Sequence, residues 1–282
     1  MRSRLGDKQL SVDPDAPLGV FDSGLGGLTV VRALRKVLPA ENIVYLGDTA
    51  RLPYGTKGAT TVVKYALGCA RHLVARRVKA IIVACNTVSA VAPDRLRVEL
   101  DIPVLGVIEP GARAAVAATH TGRIGVLATA GTIASGAYPR AVAQVSTRAE
   151  VVGQAAPLLV PLAEEGWTTG DVPRLVVRRY IESLAHARAD VVLLGCTHYP
   201  LLREVIETEV WARIGPEVAI VDSATAMAAD VRDFLEKRGM ARTTATPDAF
   251  VQLLVTDIPR TFRETAARFL GGEVGEVEQV DL

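Results

Sequence analysis

Short apolar runs alternate with helix-length segments along most of the chain, and this alternation constrains the fold more than any other feature of the sequence. Apolar runs separated by helices are typical of parallel strands that are buried on both faces. We predict eight strands, at 18–22, 42–48, 79–84, 102–107, 122–129, 149–153, 189–195 and 217–222. Helical patterns between them include 59–77, 132–146, 171–188 and 225–238. The predicted fold class is α/β, with mostly parallel sheets flanked by helices.

We expect two similar lobes, because the strands divide into two groups of four and one strand of each group ends in a cysteine. The first lobe would comprise residues 17–112 and 224–282, and the second would comprise residues 113–223, with the crossing near 109–122. Residues 1–16 have the composition of a flexible tail. Proteins of this type bind ligands at the carboxyl ends of their strands, so we expect the active site in the cleft between the lobes.

Composition and charge argue against several classes of protein. The net charge of +1 and the lack of a dense basic cluster do not suggest a nucleic-acid partner. The apolar runs are shorter than the roughly 20 residues of a membrane span, and the first residues lack the apolar core of a secretory signal. Three cysteines without a CxxC pair predict free thiols in a reducing compartment, with neither a disulfide framework nor a zinc site.

Two of these cysteines follow buried strands and precede small polar residues. Cys85 follows "AIIVA" and precedes Asn86 and Thr87, whereas Cys196 follows "VVLLG" and precedes Thr197 and His198. A lone cysteine is more often a small buried residue, and we assign that structural role to Cys69 within its helical pattern.

The pairing of the two thiols favours a chemical role over burial alone. A helix N-terminus lowers the pKa of a thiol, and His198 lies close enough in sequence to exchange protons with Cys196. Two thiols on opposite sides of one small molecule could remove a proton from one face and return one to the other. The outcome of that reaction is inversion at carbon.

Three further segments have both a structural and a functional interpretation. Asp22 and the following "SGLGG" could bind an anion through backbone N–H groups, or could simply cap a helix, and their spacing is not that of a dinucleotide loop. Tyr54 and Gly55 could contact a ligand or belong to an ordinary Pro/Gly loop. Glu164 and Glu165 are either exposed charges at a helix end or include one carboxylate near a thiol or an ammonium group.

Nothing in the sequence indicates a cofactor or a metal. His72, His120 and His186 lie in helical or loop contexts without a thiol at a strand end. No cluster has the spacing of metal ligands, and none of the six lysines lies in an evident cofactor-linking motif. We therefore expect no cofactor and no metal site.

Six stretches together resemble the glutamate racemases, a family of cofactor-independent amino-acid racemases. They are "GVFDSGLGGLTV", "YLGDTARLPYGTK", "ACNTVSA", "GVLATAGTIASGAY", "PLAEEG" and "LLGCTHYPLL", in the order of the family and over most of residues 17–205. The sequence departs modestly from the family pattern, with Val88 where alanine is common and Ala163 where a larger aliphatic residue is common. The resemblance implies two α/β lobes with the active site between them.

The resemblance also implies a role for each matching residue. Cys85 would act on the D-enantiomer with help from Asp22, and Cys196 would act on the L-enantiomer with help from His198. Glu164 would lie near Cys196, and Glu165 fits the pattern less well. The implied substrate-binding residues are Asp22, Ser23, Tyr54, Gly55, Asn86, Thr87, Thr129, Thr132, Thr197 and His198. The resemblance further implies a cytoplasmic homodimer that supplies D-glutamate for peptidoglycan.

Three alternatives stay open at this point. An aspartate racemase would share the fold and the paired cysteines, and activity on the two amino acids would distinguish it. A cysteine hydrolase would use Cys196 as the nucleophile with His198 and would leave Cys85 dispensable. A two-lobe binding protein would bind glutamate without changing its configuration.

Overall fold

The computed structural model describes residues 13–243, 249–258 and 262–282. Its strands are β1 (Leu18–Asp22), β2 (Ile43–Gly47), β3 (Ala80–Val83), β4 (Val104–Gly106), β5 (Arg123–Ala128), β6 (Glu150–Ala155), β7 (Val191–Gly195), β8 (Ala219–Asp222), β9 (Val251–Val255) and β10 (Val277–Gln279). Its α-helices are α1 (Leu28–Val37), α2 (Ala59–Ala75), α3 (Asn86–Ser89), α4 (Pro93–Glu99), α5 (Ile108–Ala118), α6 (Ala130–Ser135), α7 (Ala137–Val145), α8 (Leu159–Glu164), α9 (Asp171–His186), α10 (Arg203–Arg213), α11 (Ser223–Arg238) and α12 (Phe262–Leu270).

The strands form two parallel sheets. The first has six strands in the order β10-β9-β2-β1-β3-β4, and the second has four in the order β6-β5-β7-β8. Helices connect successive strands and cover the sheets, so β1, β2, β3 and β7 are buried along their whole length. The predicted α/β class with two parallel sheets is confirmed, and each of the eight predicted strands corresponds to one of β1–β8.

The structure differs from the sequence prediction in two respects. Strands β9 and β10 were not predicted; β9 pairs with β2, and β10 pairs with β9, so the C-terminal stretch extends the first sheet. The predicted helix 132–146 is two helices, α6 and α7, which meet at Gly136. Gly136 has φ +66°, a left-handed conformation that ends a helix and that glycine adopts without strain.

The two sheets lie in lobes that pack on each other through helices. Helix α11 contacts both α1 and α5, and α5 itself connects β4 of the first sheet to β5 of the second. The predicted boundary at residue 112 falls inside α5. The division into lobes at these residues stays a prediction.

Part of the predicted N-terminal tail is fixed to the first lobe. Residues 1–12 lie outside the described residues, whereas residues 13–16 form a turn. The ammonium of Lys79 donates to the carbonyl of Pro14 at 2.7 Å and pairs with the buried Glu41 at 2.6 Å, and Arg242 pairs with Asp15 at 3.0 Å. These contacts connect the entry to β1 with the end of α11. No helix in the described segments is long and apolar enough to cross a membrane.

Candidate active site

Cys85 lies where the first sheet ends. It follows β3 by two residues and immediately precedes α3, and β3 pairs with β1, so Asp22 and Ser23 reach the same edge. The Cys85 thiol donates to Oγ of Ser23, with 3.6 Å between the two atoms. The side chain of Asp22 is buried behind Ser23, where Oδ2 accepts the N–H of Gly24 at 3.1 Å and Oδ1 has no partner among the described residues. Asp22, which was also predicted to bind substrate, therefore lies beside Cys85 but is not among the residues that line the cavity described below.

Burial and charge hold the first thiol in its protonated form. Burial and, after it, the negative charge of Asp22 raise the pKa of Cys85 to about 12, against a backbone bond from Val88 and the Ser23 hydroxyl. Burial also raises the pKa of Asp22, although the nearby His198 opposes that shift. A protonated thiol at this position is suited to give a proton to a carbanion.

Cys196 lies at the corresponding place in the second lobe, directly after β7. Its Sγ is 3.8 Å from Nδ1 of His198, and Nε2 of the same imidazole is 3.0 Å from Oε1 of Glu164 at the end of α8. Burial lowers the pKa of His198, but the bonds to Cys196 and Glu164 outweigh burial and raise it to about 10. A protonated imidazole therefore lies beside Cys196, where the two groups can exchange a proton.

The structure distinguishes between the two adjacent glutamates. Glu164 contacts His198, whereas Glu165 is exposed at the end of α8. The helix ends in a Schellman motif, in which the N–H of Trp167 bonds to the carbonyl of Leu162 and the N–H of Gly166 to that of Ala163. Gly166 has φ +74°, as this ending requires.

Both thiols line one cavity of about 290 Å³ between the lobes. The first lobe contributes the loop around Pro53 and the start of α3, and the second contributes α8 and the loops after β5 and β7. Predicted site residues on its wall are Ser23, Tyr54, Gly55, Cys85, Asn86, Thr87, Thr129, Glu164, Cys196, Thr197 and His198. The two thiols are close enough that charge on Cys196 raises the pKa of Cys85.

The predicted threonines form a cluster of hydroxyl groups that joins the lobes. Oγ1 of Thr87 in the first lobe lies 2.9 Å from that of Thr129 and 3.4 Å from that of Thr132, both in the second lobe. Thr132 is buried behind the cavity wall, and its backbone N–H donates to the hydroxyl of Thr129, which caps α6. Thr87 and Thr129 therefore line the cavity, and their hydroxyls contact each other and that of Thr132.

The polar groups of Tyr54 and Asn86 bond to other side chains of the protein, whereas the sequence suggested that they contact a ligand. The hydroxyl of Tyr54 donates to the buried carboxylate of Asp48, so Tyr54 lines the cavity with its hydroxyl proton already bound. The amide of Asn86 is held between Tyr138, whose hydroxyl donates to Oδ1 at 2.6 Å, and Ser223, which accepts from Nδ2 at 3.2 Å. The side chain of Asn86 thus connects the lobes.

Sequence reasoning missed Asp48, Tyr138 and Ser223, which hold Tyr54 and Asn86 in place. Asp48 directly follows a buried strand, as Asp22 ends one, and this signal could have identified it. Tyr138 ends the family stretch "GVLATAGTIASGAY", whereas no signal marks Ser223; both lie on helices and reach the site through tertiary packing. In the described residues, no three His, Cys, Asp or Glu side chains form a group that could hold a metal ion.

Glycines bring the lobes close together around the cavity. A Cβ on Gly26, in the loop before α1, would lie 2.3 Å from Oγ1 of Thr197 and 2.5 Å from Nδ1 of His198. A Cβ on Gly55 would lie 2.9 Å from Cβ of Thr129. At both positions a larger residue would separate the walls of the cavity.

Comparison with known proteins agrees with this geometry. The model of the Asp/Glu/Hydantoin racemase family matches residues 27–231. A glutamate racemase of Geobacter metallireducens is 49% identical over 270 residues, which cover 95% of this chain and 98% of the relative. The crystal structure of glutamate racemase from Francisella tularensis in complex with D-glutamate superposes with a TM-score of 0.87 at 36% identity, covering 95% of this chain and 98% of that one.

A second solved structure is equally consistent with the match. Glutamate racemase from Thermus thermophilus, in complex with beta-chloro-D-alanine, has a TM-score of 0.84 at 42% identity and covers 96% of this chain and 98% of its own. The match to the family model includes Cys85, Cys196 and His198. On sequence and on fold, the chain belongs to the Asp/Glu/hydantoin racemase family.

Proposed function

We propose that this protein interconverts L-glutamate and D-glutamate without a cofactor, using Cys85 and Cys196 as two acid/base groups. The observation that carries the proposal is that both thiols, one from each lobe, line a single cavity. The volume of about 290 Å³ suits a small molecule. The name of the Geobacter relative and the D-glutamate bound in the Francisella structure support glutamate as the substrate.

In the L-to-D direction, the Cys196 thiolate removes the α-proton. The carbon–hydrogen bond breaks, an S–H bond forms, and the electron pair is delocalised into the α-carboxylate. The Cys85 thiol then gives its proton to the opposite face of the α-carbon and becomes a thiolate. The D-to-L direction reverses these roles. His198 assists Cys196, and Asp22 assists Cys85.

Without an electron sink, the charge that develops on the α-carboxylate must be stabilised by fixed donors. Thr87 and Thr129 line the cavity, and their hydroxyls, which both contact that of Thr132, can serve as such donors. Backbone N–H groups at the start of α3 add further donors next to Cys85. Ser23 and Thr197 contribute hydroxyls beside the two thiols.

Proton NMR in D₂O with chiral analysis tests this function. The purified protein is incubated separately with L-glutamate and L-aspartate, without added cofactor. We expect the α-proton signal of glutamate to disappear while D-glutamate accumulates, with little turnover of aspartate. Exchange with aspartate alone would make the protein an aspartate racemase. No exchange with either amino acid, in a folded and reduced sample, would overturn the racemase assignment.

We infer that the physiological role is the supply of D-glutamate for peptidoglycan synthesis, in the cytoplasm and as a homodimer. Membership of the racemase family supports this role. Depletion of the protein in its host should arrest growth and alter cell shape, and added D-glutamate should restore both. Sedimentation of the purified chain would decide the oligomeric state.

A further inference from the structure

Helix α12 of the first lobe contacts the second lobe beside Cys196. The ring of Phe269 lies edge-on to the imidazole of His198, with 5.0 Å between ring centroids and an interplanar angle of 77°. One residue earlier, Nη1 of Arg268 donates to the backbone carbonyl of Glu164. Neighbouring residues of one helix thus contact both partners of the His198–Glu164 pair.

The imidazole needs such support because its contact with the thiol is long. Nδ1 of His198 is 3.8 Å from Sγ of Cys196, but it is also 3.4 Å from Oγ1 of Thr197. A small rotation of the ring would therefore exchange a thiol contact for a hydroxyl contact. Gly26 of the first lobe approaches the same edge of the ring so closely that even a Cβ would clash with it.

Arg268 of α12 binds the C-terminal end of α8. Its guanidinium pairs with Glu264, one turn earlier in α12, at 3.0 Å, and reaches the last carbonyl of α8, where a positive charge is favourable. A Cβ on Gly166 would lie 2.8 Å from Nη1 of Arg268, so the glycine leaves the space that the guanidinium occupies. Arg268 thus fixes the backbone that carries the Glu164 carboxylate.

We propose that Phe269 and Arg268 are positioning residues, which hold His198 and Glu164 so that the imidazole faces the thiol of Cys196. The inference extends the proposed role of Cys196 as one of the two bases. It makes the reactivity of a thiol in the second lobe depend on a helix of the first lobe. Cys85 depends on α12 only indirectly, through the charges of Cys196 and His198, because its own partners Asp22 and Ser23 belong to the first lobe.

The rate of alkylation of each cysteine by iodoacetamide, followed against pH by peptide mass analysis, tests this inference. The charged or titratable groups that act on His198 are Cys196, Glu164 and Asp22. In Phe269→Leu we expect the pH at which Cys196 reaches half of its maximal alkylation rate, its midpoint, to rise by about one pH unit. That rise is a tenfold loss of thiolate at fixed pH. The midpoint for Cys85 should move much less, because only the charge of Cys196 connects it to this change.

Matched variants separate positioning from general loosening. Phe262→Leu makes the same substitution at another buried residue of α12 and should leave both midpoints unchanged. Arg268→Ala should shift Cys196 in the same direction but less, and Arg268→Lys should restore part of the shift. Because Arg268 is partly exposed, its variants decide the question if Phe269→Leu does not fold.

Three outcomes would overturn the inference. They are equal shifts of the alkylation midpoint at both cysteines, no shift at Cys196 in the variants of Phe269 and Arg268, and the same shift at Cys196 in Phe262→Leu. The readout needs no substrate, so it is separate from the proposed function. If the wild-type protein did not racemise glutamate, the function would fail, while the alkylation profiles would still decide whether α12 positions His198.

Discussion

Nε2 of His198 lies 3.0 Å from a carboxylate oxygen of Glu164, and this contact, together with the one to Cys196, favours the charged imidazole. Burial alone would keep the imidazole neutral, but its bonds to Cys196 and Glu164 raise the pKa of His198 to about 10. At neutral pH an imidazolium therefore lies beside the Cys196 thiol. The two sides of the cavity differ accordingly, because the partner of Cys85 is a carboxylate.

Replacing Glu164 by Gln should lower the pKa of His198 and weaken the protein in a defined pH window. A raised pKa in the folded state adds stability that is fully present below the unfolded value of about 6.5 and is lost as pH rises through about 10. At pH 7 we expect Glu164→Gln to lower the free energy of unfolding by roughly 1 kcal/mol or less, since Glu164 is partly exposed.

Urea unfolding of wild type and Glu164→Gln between pH 6 and 10 measures this effect. The difference should shrink as pH increases and should vanish near the upper limit. Glu165→Gln is the matched control, because that side chain is exposed and adjacent, and it should show no such trend. A difference that grows with pH would contradict the assigned charge of His198.

Replacing Asp22 by Asn should make Cys85 more acidic. After burial, the charge of Asp22 is the largest cause that raises the pKa of Cys85, and the amide removes that charge. The pH midpoint for alkylation of Cys85 should therefore fall, while the midpoint for Cys196 changes less. Asp94→Asn, at an exposed carboxylate of α4, serves as the control. A midpoint for Cys85 that rises or does not move would show that Asp22 does not act on this thiol.

Substituting Gly26 by Ala should separate the lobes on the Cys196 side of the cavity. The added methyl would lie 2.3 Å from Oγ1 of Thr197 and 2.5 Å from Nδ1 of His198, so one wall must move. We expect a loss of about 1–3 kcal/mol in stability from overpacking. Misplaced catalytic groups should lower kcat/KM about a hundredfold.

Gly68→Ala is the corresponding control, because a Cβ at Gly68 in α2 meets nothing within 4 Å. That variant should keep wild-type activity and gain roughly 0.5–1 kcal/mol from its better helix propensity. Thermal unfolding and racemisation assays of the two variants provide both comparisons. Wild-type kcat/KM in Gly26→Ala would show that the close approach of the lobes is not needed.

The sequence predicts the strands that carry the thiols because their apolar runs are long and end in polar residues. Cys85 and Cys196 follow β3 and β7 as expected. Strand β10, by contrast, has only three residues, and its pairing with β9 depends on contacts distant in sequence. The sequence predicts one continuous helix at 132–146 because Gly136 does not interrupt the spacing of the apolar residues. The left-handed conformation of Gly136 nevertheless divides the segment into two helices.

Contacts across the cavity are the part of the site that sequence could not supply. Asn86 looks like a ligand-binding amide, but Tyr138 and Ser223 use its polar atoms to connect the lobes. Tyr54 looks like a hydroxyl donor, but Asp48 accepts its proton. In each case a partner many residues away decides the orientation, and the sequence pattern gives only the residue type.

The steady-state rate of glutamate racemisation in Cys85→Ser and Cys196→Ser tests the central claim most directly. A hydroxyl replaces the acid/base group at nearly the same size, so both variants should stay folded by circular dichroism. Positioned acid/base groups contribute about 10²–10⁴ in rate, so we expect each variant to lose at least a hundredfold in both directions. Cys69→Ser is the matched control, since Cys69 lies in α2 away from the cavity wall, and it should stay active. Wild-type racemisation in either Cys85→Ser or Cys196→Ser would contradict the two-thiol mechanism.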